Sequence, residues 1–471
     1  MIDNCCRGAD RLCEPAPGLD RFGKRTWAAR FRKVPGPGGG RRAAFQIGVC
    51  LAWSLGASNV SGAEAAVTSA SWTLAAAQQA AFERNWDLLA AAVGVDAATA
   101  QQIVAHEFPN PTFSFSPTKI SVDDHPNSTI EGNGLWQRSY DTFFAVNQLL
   151  EIGGKRRSRQ VSAAAGYESA RALFYDAKRT LDLGVTKAYV AAALAEENSR
   201  VLAQSASTLE QESKLAAIRL RSGEISSSDK DQIDVTAERF ELDARTATAA
   251  AAQARVALQV LLGEPKPDGL VTLTDSLETL CSAAAPGSTN SARFRRPDVM
   301  AAEAALKKTE ADLRLQKAYR IPDPTLQLQY EHEPPDLPNT IGVGVSLPIP
   351  LWNRNKGNIL SAQAIRDQAR LALSKAEAQA AADLATARLG YDESNSRWQN
   401  YRDSVRPKSE SIRKTLTFAY QKGGASLLDL LLAERNDNDV RLAAAQAAAD
   451  TASALAALRA ALVELPQPVK K

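Results

Sequence analysis

The chain is 471 residues long and carries 56 basic residues against 53 acidic ones, a formal net charge of +3. That balance excludes the basic footprint of a nucleic-acid binder, so no nucleic acid is expected as a partner. Hydrophobic residues make up 45% of the chain and aromatic residues only 6%, with alanine contributing heavily, which favours long, closely packed helices over one bulky core.

Residues 1–42 are rich in Arg, Gly and Pro, carry no hydrophobic period and read as a leader without regular structure. Residues 43–65 follow Arg41 and Arg42 with the apolar run AAFQIGVCLAWSLGAS and small residues around Ala63 and Ala65, the layout of a secretory signal. The run is too short for a permanent anchor. No Met occurs between Met1 and Met300, so translation is expected to begin at a non-Met codon shortly before Arg41. Cys5, Cys6, Cys13 and Cys50 all fall in these segments, which leaves Cys281 alone in the mature chain and no intrachain disulfide. Cys50 follows Val49 inside the apolar run, where a lipoprotein signal wants a small residue, so lipidation is not expected.

A helical stretch from about Leu74 to Glu107 leads into FPNPTFSFS, where Phe113 and Phe115 alternate with Ser114 and Ser116. Beyond a long loop from Thr118 to Ser139 the chain returns as YDTFFAVNQLLEIGGK, with Tyr140, Thr142, Phe144 and Val146 on the outward side. Such alternation is a strand with one apolar face. From Ser158 to Arg221 there is no proline, and a helix of that length reaches about 95 Å. SGEISSSD breaks it, and a second helix runs through LDARTATAAAAQARVALQVLLG until Gly263 and Pro265 stop it. Residues 264–290 are dense in turn formers and read as a linker with little regular structure.

The second half repeats this plan. Arg296, Pro297 and Asp298 mark a helix start, with proline in the first turn and an acid at the positive end of the dipole. Pro322, Pro324 and Thr325 then stand as Pro109, Pro111 and Thr112 stood. Leu326, Leu328, Tyr330 and His332 alternate with Gln327, Gln329 and Glu331; across the tight turn HEPPDLPN, Ile341, Val343, Val345 and Leu347 alternate with Gly342, Gly344 and Ser346. NRNKGNI opens a helix running toward Arg406, Pro407 interrupts it, KGGASLLD breaks it, and a final helix ends near Leu465 and Pro466. Leu427, Leu428, Leu431 and Leu432, then Leu455, Leu458 and Leu462, keep the spacing of a packed helix face. The chain is thus mainly α with a small β part, a duplicated helix, β-hairpin and long helical hairpin over residues 71–263 and 291–465, with a tail at 466–471.

A single hairpin of this kind is ordinarily a soluble one packed on helices. Two copies, apolar outward and polar inward, match the strands of an outer-membrane barrel instead. Four strands cannot close such a barrel, because open edges would leave backbone groups unpaired in hydrocarbon. Several chains must pool them, and two, three or four chains would give eight, twelve or sixteen strands.

Other residue clusters carry more than one reading. Ser226 with Asp229 and Ser426 with Asp429 both have the Ser-x-x-acid spacing of a capping box, which does not exclude a second role. Lys155, Arg156 and Arg157 follow a Gly-Gly turn and fit the phosphate level of a membrane. Trp136, Tyr140 and Trp352 fit either interface aromatics or core packing. His106, His125 and His332 lack ligand spacing, while Asp123, Asp124 and His125, like Glu331, His332 and Glu333, read as solvated polar stretches. No metal site, no cofactor and no catalytic constellation is expected, so the chain is not read as an enzyme.

From Ser71 to Leu465 the order of elements resembles the TolC family of outer-membrane efflux channels, and EIGGKRRSR at Glu151–Arg159 with LPIPLWNRNKGNI at Leu347–Ile359 looks like its heavy-metal, CzcC-like branch. The resemblance implies a homotrimer with a twelve-strand barrel set in outer-membrane lipid and continued by a periplasmic α-helical barrel. It also implies docking on a periplasmic adaptor (a membrane fusion protein) and an inner-membrane pump of the RND class, as a passive duct for cobalt, zinc, cadmium or copper-class cations. By the same resemblance Asp429 stands where the periplasmic gate ring carries an acid, and Tyr420 and Asp229 match positions that link neighbouring tips in the closed state. Leu432 replaces a second ring acid and Ala425 a basic tip residue, which implies a less anionic gate held by fewer links. A ring of like carboxylates would favour cations and raise its own apparent pKa. Two alternatives stand beside this reading: a channel for drug efflux or type I secretion, and a water-soluble periplasmic coiled-coil scaffold or adaptor.

Overall fold

The computed structural model describes residues 71–120, 139–282, 295–333 and 337–463. The leader and signal segments, Trp136, the stretch 123–125 and the tail lie outside them, as does the side chain of Tyr140.

The first half opens with β1 (Ser71–Trp72), α1 (Leu74–Arg84) and α2 (Trp86–His106). The stretch expected to be one helix is two, because Asn85 adopts an extended backbone, accepts from the N–H groups of Asp87 and Leu88, and donates its amide to Leu261 O. Strands β2 (Thr112–Ile120) and β3 (Ser139–Leu149) follow, then α3 (Lys155–Arg221), α4 (Ser227–Leu261), β4 (Thr272–Leu273) and α5 (Leu277–Cys281). At 67 residues α3 is about 100 Å long.

The second half is built of α6 (Pro297–Ala318), β5 (Thr325–Glu333), β6 (Leu337–Ser346), α7 (Lys356–Asn400), a π-helical turn (Tyr401–Val405), α8 (Arg406–Gln421) and α9 (Leu427–Leu462). The strands reach further toward the turn than expected, through Glu333 and from Leu337. Pro338 is tolerated because it falls where the pairing of β6 with β5 shifts register, between the pairs Glu331–Thr340 and Glu333–Leu337. Likewise the interruption at Pro407 is a widened turn with helix on both sides.

The four-stranded sheet has the order β2-β3-β5-β6, antiparallel throughout, so the two hairpins meet at β3 and β5. Helix α3 is the hub of the helical part, packing on α2, α4, α6 and α9. Most of the core gathers around its middle. Val190 and Ala193 of α3 pack with Leu277 and Cys281 of α5, Trp398 of α7 and the alanines 444–449 and 452 of α9 (save Gln446). Beside it, Val185 and Tyr189 pack with Ala77 and Ala81 of α1 and Leu258 and Leu262. Alanine lets these backbones approach closely, as composition suggested.

Two expectations need correction. The linker is ordered where it joins this core: β4 pairs in parallel with β1, and the Tyr189 hydroxyl donates to Trp72 O while accepting from Asp275 N. A two-residue strand whose partner lies some two hundred residues away leaves no local signature. Of the leucines at the start of α9, Leu428 and Leu432 are exposed, and Leu430 is the buried one. Further along, Leu455 and Leu458 are buried as their spacing indicates.

Candidate functional site

The sheet separates its two faces cleanly. Register places Phe113, Val146, Leu328 and Val343 in one row and Phe115, Phe144, Tyr330 and Ile341 in the next. Phe115 and Phe144 stack at 5.0 Å between centroids, and Phe144 and Tyr330 at 6.1 Å. Among the described residues nothing covers this face: Ile341, Val343 and Val345 are 78%, 73% and 71% exposed. Thr142, expected outward with them, is buried between its register partners Pro117 and His332.

The opposite face carries Ser114, Ser116, Asn147, Gln327 and Gln329. Gly342 and Gly344 let the glutamines lie across β6, since a Cβ at Gly342 would stand 2.9 Å from Gln329 Cγ. At the upper end of this face Asp141, Glu331 and Glu333 converge, one oxygen of each within 4.8 Å of the others. An all-carboxylate group of this kind suits hard divalent cations, and each of the three has further interactions of its own. Sequence reasoning set Glu331 and Glu333 aside because it could not see that Asp141, on the neighbouring strand β3 but distant in sequence, faces them. Alternation alone would have put all three on one face had the register been known.

At the foot of the sheet the GGKRR motif has a structural explanation. Gly153 and Gly154 have φ of 72° and 74°, a conformation that side chains resist. The turn they make buries Lys155, which is 2% exposed and holds Asp323 at 2.7 Å while donating to Ile321 O. Lys155 therefore joins the two halves, and its ammonium is engaged within the chain rather than offered to a phosphate. Arg156 donates to His106 O with its guanidinium 3.9 Å over the Phe108 ring, and Arg159 donates to Glu107 O and pairs with Glu151 at 2.6 Å. These arginines satisfy the carbonyls that end α2. Arg157 is exposed. At the matching junction of the second half Asn355 takes the left-handed conformation and donates to Gln316 O at 2.7 Å, while Trp352 is 93% exposed. Among the described residues Trp352 thus has no place in the core.

The far ends of the helices form two tips of almost identical chemistry. In each, the helix stops on a left-handed glycine, Gly223 or Gly423, and the next amide returns to the carbonyl five residues back, Glu224 N to Arg219 O or Gly424 N to Ala419 O. In each, a complete capping box opens the next helix: Ser226 with Asp229 and Ser426 with Asp429. The hydrogen bonds from Ser426 hold the Asp429 carboxyl below the usual range, which opposes the rise expected from a ring of like charges.

Tyr420 does approach the first tip, but through a residue that sequence reasoning missed. The Arg219 guanidinium lies 5.2 Å over its ring, and among the described residues Tyr420 makes no hydrogen bond to Asp229. Higher up, Arg413 of α8 reaches Glu434 at 3.4 Å and Asp437 at 3.0 Å on α9, and Arg441 also meets Asp437 at 3.0 Å. Burial pushes the Glu434 carboxyl up against the pull of Arg413. The first tip is fastened differently, by Asp234 of α4 accepting from Ser213 of α3 at 2.6 Å and pairing with Lys230.

Comparison with known proteins joins these features. The family model described as outer membrane efflux protein matches residues 77–264 and 289–463. The chain is 27% identical over 370 residues to the cobalt-zinc-cadmium resistance protein CzcC of Cupriavidus metallidurans, covering 77% of this chain and 83% of that one. It is 24% identical over 379 residues to the probable outer membrane lipoprotein SilC of Salmonella typhimurium, covering 76% and 78% respectively. A solved structure of CusC shares the fold, with a TM-score of 0.69 at 20% identity over 83% of this chain and 91% of that one. The likeness to CzcC and SilC points within it to the heavy-metal branch, and the chain belongs to the outer membrane efflux protein family, with its place in the outer membrane.

Proposed function

We propose that the chain is one subunit of a homotrimeric, passive export duct for heavy-metal cations of the cobalt, zinc, cadmium or copper class. The observation that carries the oligomer is the sheet itself: four strands, an uncovered apolar face and two open edges at β2 and β6. Joining β6 of one subunit to β2 of the next preserves the antiparallel order and removes every edge, as hydrocarbon demands. Residues 43–65 act as the export signal, 71–263 and 291–465 as the two repeats, and 264–290 as the link between them. The cargo class rests on the likeness to CzcC.

In this reading a periplasmic adaptor seats on the helical tips and an RND pump of the inner membrane drives the cargo, so this chain supplies wall and gate and no catalysis. Asp429 contributes the acid of the gate ring, with Asp229 and Tyr420 at the contacts between tips and Ser226 and Ser426 as their caps. Deleting the gene tests the cargo: tolerance to one or more of cobalt, zinc, cadmium and copper falls while tolerance to dyes is unchanged. Loss of dye tolerance with metal tolerance intact would support a drug-efflux channel.

A further inference from the structure

Strand β6 ends at Ser346, yet its outward pattern does not. Leu347 and Ile349 continue the odd-numbered series Ile341, Val343 and Val345, and they are 51% and 74% exposed. Pro348 and Pro350 alternate with them, so this arm lacks the amides of a ladder strand. Leu351 N returns to Ile349 O at 2.9 Å, a tight turn at Pro350 that swings Leu351 and Trp352 outward, 60% and 93% exposed. The charged residues Arg354 and Lys356 follow immediately and are exposed.

Geometry gives this arm a purpose. From Ile341 to Val345 the apolar stripe of β6 covers about 13 Å of strand, or about 10 Å of height at the usual tilt, against the roughly 25 Å band that outer-membrane barrels present to lipid. Carried on to Ile349, it covers about 26 Å of strand and about 20 Å of height, and the turn adds a further step. Tyr330, whose hydroxyl meets Asn339, then marks the upper rim, and Trp352 the lower one.

We propose that the arm from Leu347 to Trp352 is a lipid-binding surface for phospholipids of the periplasmic leaflet. Leu347, Ile349 and Leu351 lie against acyl chains, the Trp352 indole sits at the headgroup boundary, and Arg354 and Lys356 meet phosphate. The favoured occupant is lipid because the arm is continuous in pattern with the uncovered sheet face and runs directly into cations. Asn355, bonded to Gln316, seats it against the end of α6, where Arg157, Arg314 and Lys317 line a cavity of about 610 Å3 with no carboxylate in its wall. The inference rests on the barrel reading above.

Site-directed spin labelling of the full channel in phosphatidylethanolamine–phosphatidylglycerol vesicles tests it, with Ile349→Cys, Leu351→Cys and Trp352→Cys as labelled positions. Val343→Cys on the sheet and Leu428→Cys at the tip serve as lipid and water references, and the unsubstituted chain, whose Cys281 is buried, gives the background. The expected result is relaxation by oxygen several-fold stronger, relative to a water-soluble nickel chelate, than at Leu428→Cys. Dominance of the nickel chelate places the arm in water and overturns the inference. Silence to both reagents places it against a neighbouring subunit and also overturns it. If Val343→Cys itself behaves like the tip, the barrel reading falls and the arm falls with it.

Discussion

The two halves of the chain are copies that agree at their tips and disagree along their arms. Both tips use a left-handed glycine and a serine-aspartate capping box, features written in a few adjacent residues. The arms differ because α3 climbs from sheet to tip as one helix, while its counterpart is divided into α7 and α8 by the turn at Tyr401–Val405. Pro407 lacks an N–H and its ring crowds the carbonyl of Asp403, so the helix opens until Arg406 N reaches Tyr401 O. Local caps survive divergence; the stiffness of a long lever depends on one residue. The first half is a strut, and the second carries its tip beyond a break.

The sharpest way to break this comparison is at the two strand-to-helix junctions. Lys155→Ala leaves Asp323 without its buried partner and is expected to cost about 3 kcal/mol, read as a lower thermal unfolding midpoint in detergent. Asn355→Ala at the matching place removes one hydrogen bond and strains a φ of 58°, at a cost of about 1 to 2 kcal/mol. Equal losses would show that the first half is no more firmly locked than the second.

The break itself comes next. Pro407→Ala restores an amide and lets the turn relax to an α-helix, which is expected to stabilise the chain by about 1 kcal/mol and to lower the open probability of single channels. An unchanged midpoint with unchanged gating would show that the π turn is held by packing of Tyr401 on the core and not by the proline.

At the tips the comparison runs the other way, since the caps are alike and the proposed roles are not. Asp229→Ala and Asp429→Ala should each cost about 1 kcal/mol as lost caps. Only Asp429→Ala should weaken divalent-cation block in single-channel recordings. Block that survives in both variants would remove Asp429 from the gate.

Much of this architecture was legible in the residues. Alternation revealed both hairpins, the absence of proline revealed the long helices, and Ser-x-x-Asp revealed both caps. The outer-membrane location also sets aside the water-soluble scaffold reading. What stayed hidden depended on partners distant in sequence. Arg219 carries no signal of its own until Tyr420 comes beneath it, and Lys155 looked like a membrane-surface cation until Asp323 closed over it. The convergence of Asp141 with Glu331 and Glu333 required the register between hairpins, which no local pattern encodes.

The smallest predicted effect separates the tips by pH. Glu434, faced by Arg413 from α8 and by Asp437 and Arg441 from α9, has its carboxyl pushed above the ordinary value of 4.5 by burial. A raised folded-state pKa means that folding favours the protonated form, so this contribution is complete below the unfolded value and is lost as pH rises through the folded one. The first tip has the opposite sign: Lys230 and Ser213 hold Asp234 below its ordinary 3.8, so its contribution persists until pH falls through that lower value. As pH falls from about 7.5 toward the ordinary 4.5, hydrogen exchange corrected for intrinsic rates should therefore slow along α8 and the start of α9 and stay level along the end of α3 and the start of α4. Glu434→Gln carries no titrating proton, and the second tip should then lose its response while the first remains as it was. A response that survives the substitution would assign the effect to other groups, and slowing at both tips would show that the two arms move as one.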